Sequence, residues 1–347
     1  MDLDLLKRLC ETPGVPGRED RVRSLIERTV GGLFDTMQTD PMGSLICTRH
    51  GGDGDDATRV MIAAHMDEIG FYIRHVDEKG FLWINPAGGF DNRNLFSRRV
   101  LVCTDDGDYR GVLNPGGKPV HIASPEDRKK IPEISEFFVD LGISADDVRD
   151  KVKIGDYVVM DEPFIELPEK IVSKALDNRV ACFVAIEAMR AIVASGVTHA
   201  CEVTVVFTVQ EEVGLRGAMT AANAVGAHIG IGLDTTLACD TPGVGESERV
   251  TAQGEGVGLL VQDSSMISDH RLVDDLCSVA EANDIAYQRS ILPRGGQDGG
   301  AIQRSGIGAR TAAIVCGTRY IHTVTESVDK RDLSSTIDLL SKWIPTV

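Results

Sequence analysis

Two adjacent carboxylates follow a mostly apolar run in the second half of the sequence. The run 203–209 is typical of a buried strand, and Gln210, Glu211 and Glu212 come directly after it. Neighbouring negative charges repel each other, and burying either one is costly unless it is paired or bound to a cation. The pair Glu211 and Glu212 therefore indicates a site at the end of this strand that uses both charges.

Histidine and acidic side chains recur at comparable places along the chain. Besides the two glutamates, they are His65 and Asp67 after the run 59–64, Asp177 before a long predicted helix, Asp234 after the run 228–233, and His322 after the run 311–321. Each one alone has an ordinary structural explanation, such as a helix N-cap for Asp177. Together they follow the strand ends of one predicted sheet, where open α/β sheets bind their ligands. We therefore expect them to form one site.

A metal centre explains this set of side chains. Carboxylate oxygens and imidazole nitrogens suit Zn²⁺, with Co²⁺ or Mn²⁺ as alternatives. Two metals about 3.5–4 Å apart need one ligand that bridges them, and the two oxygens of Asp177 suit that role. We expect His65 and Asp234 to complete the ligands of one divalent metal ion, and Glu212 and His322 those of the other.

Glu211 and Asp67 remain for catalysis in this scheme. A metal lowers the pKa of the water that it holds towards about 7, so that a nearby carboxylate can take the proton. Glu211 is predicted to be this general base. Asp67 is predicted to accept the imidazole N–H of His65 and so to fix the tautomer of that ligand.

The elements that must position these residues alternate between helix and strand in the second half of the chain. A helix is predicted over 177–195, a strand over 201–209, a helix over 215–226 and a strand over 227–234. The earlier strand 58–65 has the same continuous apolar pattern. This alternation predicts an α/β fold whose sheet is mixed but mostly parallel, with helices on both faces.

A small all-β domain is predicted to interrupt this fold. Residues 70–86 and 98–114 each have the pattern of two strands joined by a tight turn. We therefore predict a catalytic domain of residues 1–66 and 167–347, and an inserted β-rich domain of residues 67–166.

Two glycine-rich segments are predicted as turns. Residues 51–56 are acidic but lack the spacing of a helix–loop–helix calcium site, whose twelfth position is a bidentate glutamate. Residues 295–300 lack the spacing of a loop that cradles phosphate. Neither segment is expected to bind a ligand by itself.

Composition excludes several classes of protein. The 347-residue chain has a net charge of −17, which argues against binding to nucleic acids or to anionic membranes. Its apolar runs fall short of the roughly 20 residues that span a bilayer, and its N-terminus lacks the layout of a signal peptide. Eight scattered cysteines without C-x-x-C spacing indicate free thiols in a reducing compartment. A cytoplasmic protein is predicted.

Five separate motifs resemble one enzyme family. The segments AAHMDEIG, KALDNR, VQEEVGLRGA, GLD and RYIHT are similar, in this order, to those of the co-catalytic metallo-aminopeptidases of the TET and glutamyl-aminopeptidase type. Members of this family have often been mislabelled as endoglucanases. The resemblance covers essentially the whole chain, including the inserted β-rich domain.

The resemblance carries implications for fold, activity and assembly. It implies a zinc-peptidase-like fold and a two-metal enzyme that removes residues from peptides with a free N-terminus. It implies metal ligation by His65, Asp177, Glu212, Asp234 and His322, catalysis by Glu211, and support from Asp67. It also implies a tetrahedral homododecamer whose active sites face an enclosed chamber, with the inserted domain serving assembly or substrate access.

Three alternatives remain open from the sequence. A carboxypeptidase or deacylase would use the same two-metal chemistry, and a catalytically inactive scaffold would keep the metal ligands alone. A glycoside hydrolase would need two carboxylates that flank one bond, but Glu211 and Glu212 are adjacent on an extended segment and should point to different sides. The sequence leaves the preferred N-terminal residue of the substrate open.

Overall fold

The protein comprises a large α/β domain and a small β-barrel. The structure is a computed structural model that describes residues 1–52, 54 and 57–347. The turn predicted at 51–56 therefore lies partly outside the described residues. The α-helices are α1 Leu3–Glu11, α2 Asp20–Thr29, α3 Ala145–Lys151, α4 Leu176–Ser195, α5 Arg216–Val225, α6 His270–Ala282, α7 Gly299–Arg304 and α8 Lys330–Trp343. The strands are β1 Thr36–Thr39, β2 Leu45–Arg49, β3 Arg59–His65, β4 Gly70–Val76, β5 Leu82–Ala87, β6 Arg98–Thr104, β7 Gly107–Pro115, β8 Phe137–Asp140, β9 Tyr157–Met160, β10 Ile165–Glu166, β11 Lys170–Ser173, β12 Glu202–Thr208, β13 Ile229–Leu237, β14 Val257–Gln262, β15 Tyr287–Ile291, β16 Arg310–Arg319 and β17 Glu326–Asp329.

The large sheet has a parallel centre and antiparallel flanks. Its strand order is β1-β2-β12-β3-β13-β16-β17-β11-β10, and β14 pairs with both β15 and β16. The central pairs β12–β3, β3–β13 and β13–β16 are parallel, whereas β1, β2, β17, β11 and β10 add antiparallel pairs. The carboxyl ends of the central strands consequently lie along one edge.

Helices cover both faces of this sheet, and strand β3 shows why. Its residues Val60, Ile62 and Ala64 belong to the hydrophobic core that also contains α1, α2, α4, α6 and α8. Met61 and Ala63 point to the other face and pack in a second core with α5 and α7. Because successive strand residues point to opposite faces, a strand buried on both faces must be apolar throughout. The predicted α/β fold with a mixed sheet is confirmed.

The barrel separates β3 from α4 along the chain. Strands β4, β5, β8, β7, β6 and β9 close in this order around a core of their own, which includes Phe71, Val100, Val139 and Val158. All six strands fall inside the range 67–166 predicted for the inserted domain. The chain enters the barrel just after His65 and leaves it shortly before α4. The barrel therefore lies next to the edge of the sheet at which the central strands have their carboxyl ends.

Two findings bear on the environment of the chain. All eight cysteines are free, and all of them are buried except Cys239, which is partly exposed. This agrees with the prediction of free thiols. No helix in the described part of the chain is both long enough and apolar enough to cross a membrane.

Candidate active site

Parallel pairing of two central strands brings a histidine next to the two glutamates. His65, the last residue of β3, is opposite Thr208, the last residue of β12, and its side chain is 2% exposed. The chain then continues from Thr208 to Glu211 and Glu212. Because both strands end at the same edge, the side chain of His65 is within reach of Glu211, with Nε2 3.8 Å from Oε2.

Buried carboxylates fix the backbone that carries the two glutamates. Gln210 has a left-handed conformation (φ 56°), and its N–H donates to Oε1 of Glu19 at 3.0 Å. The N–H groups of Glu211 and Glu212 donate to Oδ1 and Oδ2 of Asp67, each at 3.1 Å. The segment is thus held by its main chain, which leaves the side chains of Glu211 and Glu212 free for the site.

Asp67 is close to the imidazole of His65, as predicted, but its backbone carbonyl lies closer than its carboxylate. Nδ1 of His65 lies 3.0 Å from the backbone carbonyl oxygen of Asp67 and 3.6 Å from its Oδ1. The carbonyl is therefore the closer acceptor for the imidazole N–H, and the carboxylate bonds mainly to the glutamate amides. Asp67 is fully buried, so both contacts are shielded from water.

Asp177 occupies the start of α4 without capping it. The N-cap of the helix is Ala175, and Asp177 has a non-helical backbone conformation (φ −78°, ψ 106°), so the interpretation of Asp177 as a helix N-cap is wrong. Its carboxylate instead faces two histidines. Oδ1 lies 3.4 Å from Nε2 of His65, and Oδ2 lies 3.4 Å from Nε2 of His322.

The remaining side chains complete a cluster around Asp177. Oδ1 of Asp234, on β13, lies 3.9 Å from Nε2 of His65. Oε2 of Glu212 lies 3.4 Å from Nε2 of His322, which follows β16. One ligand atom each from His65, Asp177 and Glu212 lie within 4.8 Å of one another. The same is true of one ligand atom each from His65, Glu211 and Asp234. The fold thus brings together every residue that the sequence singled out.

Burial and charge act against each other in this cluster. Burial raises the pKa of Glu211 and of Asp234 well above the ordinary values. Burial also raises the pKa of Asp177, but hydrogen bonds from the two histidines outweigh it and hold that pKa well below its ordinary value. Burial lowers the pKa of His322, but Asp177 and Glu212 outweigh it and raise that pKa to about 11. Burial therefore favours the protonated forms of Glu211 and Asp234, and their ionised forms need compensating positive charge.

The donor set suits divalent cations. When ionised, Asp177, Glu211, Glu212 and Asp234 together carry a charge of −4. Such a concentration of buried carboxylates is costly without compensating cations. Carboxylate oxygens combined with imidazole nitrogens are the donor set that Zn²⁺ and similar metals prefer.

Sequence reasoning missed two residues beside this cluster. Glu326 is 2% exposed and accepts the backbone N–H groups of Asp177 and His322. Asp298, also 2% exposed, accepts the hydroxyl of Thr208. It lies in the segment 295–300 predicted as a turn, but the last two residues of that segment, Gly299 and Gly300, belong to α7. Two features of the sequence could have indicated them. Glu326 follows His322 by four residues, and Asp298 is the acidic residue among the glycines of 295–300.

A cavity of about 360 Å³ opens from the cluster. Candidate ligands form its floor, and aliphatic side chains and one arginine form its walls: Leu237, Leu260, Leu292, Ile321 and Arg294. Its size suits one amino-acid side chain or a short ligand rather than a folded domain.

Comparisons with known proteins agree with this arrangement. The family model described as M42 glutamyl aminopeptidase matches residues 43–339. The chain is 30% identical to the lysyl aminopeptidase of Pyrococcus furiosus, over 98% of this chain and 95% of that protein.

Solved structures give the same result. An aminopeptidase from the archaeon Desulfurococcus kamchatkensis is 36% identical, with a TM-score of 0.93 over 99% of this chain and 94% of the other. The TET1 peptidase of Pyrococcus horikoshii, which assembles into a tetrahedron or a large octahedral shell, is 29% identical, with a TM-score of 0.88 over 99% of both chains. The family predicted from the five motifs is thereby confirmed, and this chain belongs to the M42 glutamyl aminopeptidase family of peptide-bond hydrolases.

Proposed function

We propose that this protein is a dinuclear metal-dependent aminopeptidase that removes residues from peptides with a free N-terminus. One cation would be held by His65, Asp234 and Asp177, and the other by Asp177, Glu212 and His322. The observation that carries the proposal is the position of Asp177, whose two carboxylate oxygens each lie 3.4 Å from a different histidine. Zn²⁺ is the proposed metal, with Co²⁺ or Mn²⁺ as alternatives.

Glu211 is proposed to move the protons of the reaction. When bound, the cations would supply Lewis acidity, which acidifies a coordinated water and polarises the scissile carbonyl. Oε2 of Glu211, next to His65, would take the proton of the attacking water and deliver it to the leaving amine. Asp67 holds the amide of Glu211 and so keeps this carboxylate at the cavity floor.

The cavity beside the cluster is the proposed binding site for the first side chain of the substrate. The carboxylates on its floor suit a positively charged α-amino group. Its aliphatic walls suit an uncharged or partly apolar side chain, and Arg294 favours an acidic group over a basic one.

The barrel is proposed to serve self-association or substrate access as the inserted domain 67–166. Between β7 and β8 it exposes apolar side chains of Val120, Ile122 and Ile131, each more than half accessible. Exposed apolar groups of this kind favour contact with another chain.

A homododecamer is the proposed assembly, by analogy with the tetrahedral TET1 relative. The cytoplasm is the proposed location because all eight cysteines are free. Light scattering should give a mass far above 37.4 kDa.

One assay tests the proposed activity. Chelator-treated protein is supplied with Zn²⁺, Co²⁺ or Mn²⁺ and given a peptide with a free N-terminus and the same peptide acetylated. Metal-dependent cleavage of the free peptide alone is expected. Equal cleavage of the acetylated peptide would favour a carboxypeptidase or deacylase, and metal binding without any turnover would favour the inactive scaffold.

A further inference from the structure

A single buried carboxylate connects two segments that carry candidate ligands. Glu326 is the first residue of β17, and its register partner on β11 is Ser173, so it lies beside the segment that leads into α4. Its Oε2 accepts the N–H of Asp177 at 2.9 Å, and its Oε1 accepts the N–H of His322 at 2.8 Å. The side chains of Asp177 and His322 in turn approach each other to 3.4 Å.

The His322 segment needs such support. His322 and Tyr320 both have left-handed backbone conformations, with φ of 64° and 61°. Non-glycine residues adopt this region only when the surrounding structure holds them there. Within the described residues, the N–H of His322 has Glu326 as its hydrogen-bond acceptor, so this contact restrains the strained turn directly.

Asp67 and Glu326 have equivalent positions relative to the cluster. Asp67 accepts the amides of Glu211 and Glu212, while Glu326 accepts those of Asp177 and His322. Each carboxylate is buried, and each uses both of its oxygens on the main chain of residues at the site. Neither side chain lines the cavity of about 360 Å³ that would hold the substrate, whereas Glu326 does line a smaller cavity of about 20 Å³ beside Asp177 and His322.

We infer that Glu326 is a positioning residue, which sets the distance between Asp177 and His322 for binding of the second cation. This inference rests on the proposed function, because it assigns those two side chains to a metal site. Residues that orient metal ligands typically change metal affinity or activity 10- to 100-fold when they are mutated. Here the orientation acts through the main chain of the ligands.

Two substitutions separate the position of the carboxylate from its charge. Glu326→Gln keeps the size of the side chain, but its amide nitrogen would face a backbone N–H, so one of the two hydrogen bonds is lost. Glu326→Asp keeps the charge, but its side chain is shorter by one methylene and cannot reach both amides. If only the negative charge matters, Glu326→Asp will behave like the wild type.

Zn²⁺ titration of chelator-treated protein provides the test. Calorimetry on the full chain is expected to show two Zn²⁺ ions bound by the wild type. In both variants one of the two ions is expected to lose about 10- to 100-fold in affinity while the other changes less. Asp329→Asn, which changes another buried acid of β17, is the matched control and should keep wild-type Zn²⁺ affinity even where it lowers stability.

Each remaining outcome overturns a specific statement. Wild-type Zn²⁺ affinity in either of the two variants, Glu326→Gln or Glu326→Asp, would overturn the positioning role. If Glu326→Gln does not fold, as judged by circular dichroism, the affinity of Glu326→Asp decides alone. If the wild type binds no Zn²⁺, the proposed function fails and the inference falls with it. If the wild type binds two ions and both variants match it, only the inference fails.

Discussion

Asp177 Oδ1 lies 3.4 Å from Nε2 of His65, although 111 positions separate the two residues along the chain. The other oxygen of the same carboxylate lies equally close to Nε2 of His322. This position suits the shared ligand that we propose, since each carboxylate oxygen could bind a different cation. The barrel accounts for most of the sequence between His65 and Asp177, yet both residues reach the same edge of the sheet.

Replacing Asp177 by asparagine should reduce the number of bound metal ions from two to at most one. An amide offers one acceptor oxygen, and its nitrogen cannot bind a cation. We expect kcat/KM to fall at least about 100-fold, with metal content measured by mass spectrometry on the same sample. Asp150→Asn, at an exposed position of α3, is the control, and two ions in the Asp177→Asn variant would refute the bridging role.

The adjacent glutamates should respond differently to the same substitution. Glu211→Gln is expected to keep two metal ions while kcat falls about 10²- to 10⁴-fold, because a general base is lost. Glu212→Gln should instead weaken metal binding, because Glu212 lies 3.4 Å from His322 and would share its cation. Metal titrations and kcat for the two variants, measured side by side, would contradict the assignment if Glu211→Gln kept near wild-type rates.

The positions of the candidate ligands could be predicted because they depend on strand ends. His65 ends β3, the two glutamates follow β12, and Asp234 lies on β13 three residues before its end, and parallel central strands end at a common edge. The hydrophobic pattern therefore predicted the fold class, and together with the histidine and acidic residue types near the strand ends it predicted the residues that meet. The barrel was likewise recognisable from its paired strands and tight turns.

Contacts through the main chain could not be predicted in this way. Glu326 accepts the amide of Asp177, 149 residues away, and any residue type at position 177 would offer the same N–H. The left-handed conformations of Gln210 and His322 also have no signal in residue type, because glycine is absent at both positions. The sequence shows which side chains carry the chemistry, but the restraints on their backbones appear only in the fold.

Arg294 should disfavour substrates with a basic first residue. It lines the cavity beside the cluster, and in Arg294→Glu the wall changes from repelling to attracting a lysine side chain. We expect the ratio of kcat/KM for lysyl over glutamyl substrates to rise about 5- to 10-fold, the size typical of exposed charge pairs. Aminoacyl chromogenic substrates measure this ratio. Arg289→Glu, on β15 and outside the cavity wall, is the control, and an equal change there would dismiss the prediction.

Asp329 should make the stability of the fold depend on pH in the acidic range. Burial acts to raise its pKa, but hydrogen bonds from Arg331 and Lys170 outweigh it and lower the pKa from 3.8 to about 2. Because the folded-state pKa is depressed, the stabilisation is complete above pH 4 and disappears as pH falls through 2. We expect Asp329→Asn to cost about 1–2 kcal/mol at pH 7 and roughly half of that at pH 3.

Urea unfolding of wild type and Asp329→Asn at pH 7, 5, 4 and 3 measures this dependence. Asp338→Asn, an exposed acid on α8, controls for the loss of one negative charge. A difference between wild type and Asp329→Asn that stays constant from pH 7 to pH 3 would show that the ion pairs of Asp329 do not stabilise the fold.

Arg179 should be among the most important side chains for stability, although it lies outside the cluster. It is fully buried on α4, and its guanidinium donates to carbonyl groups of the N-terminal segment and to that of Met66, beside His65. It also lies 3.5 Å from the buried carboxylate of Glu68. Arg179→Met would leave these acceptors unpaired, so we expect a loss of about 3–5 kcal/mol in the free energy of unfolding. Arg190→Met removes two partly exposed ion pairs from the same helix, with Asp2 and Glu187, and should cost at most about 1 kcal/mol, so equal losses in the two variants would contradict this role.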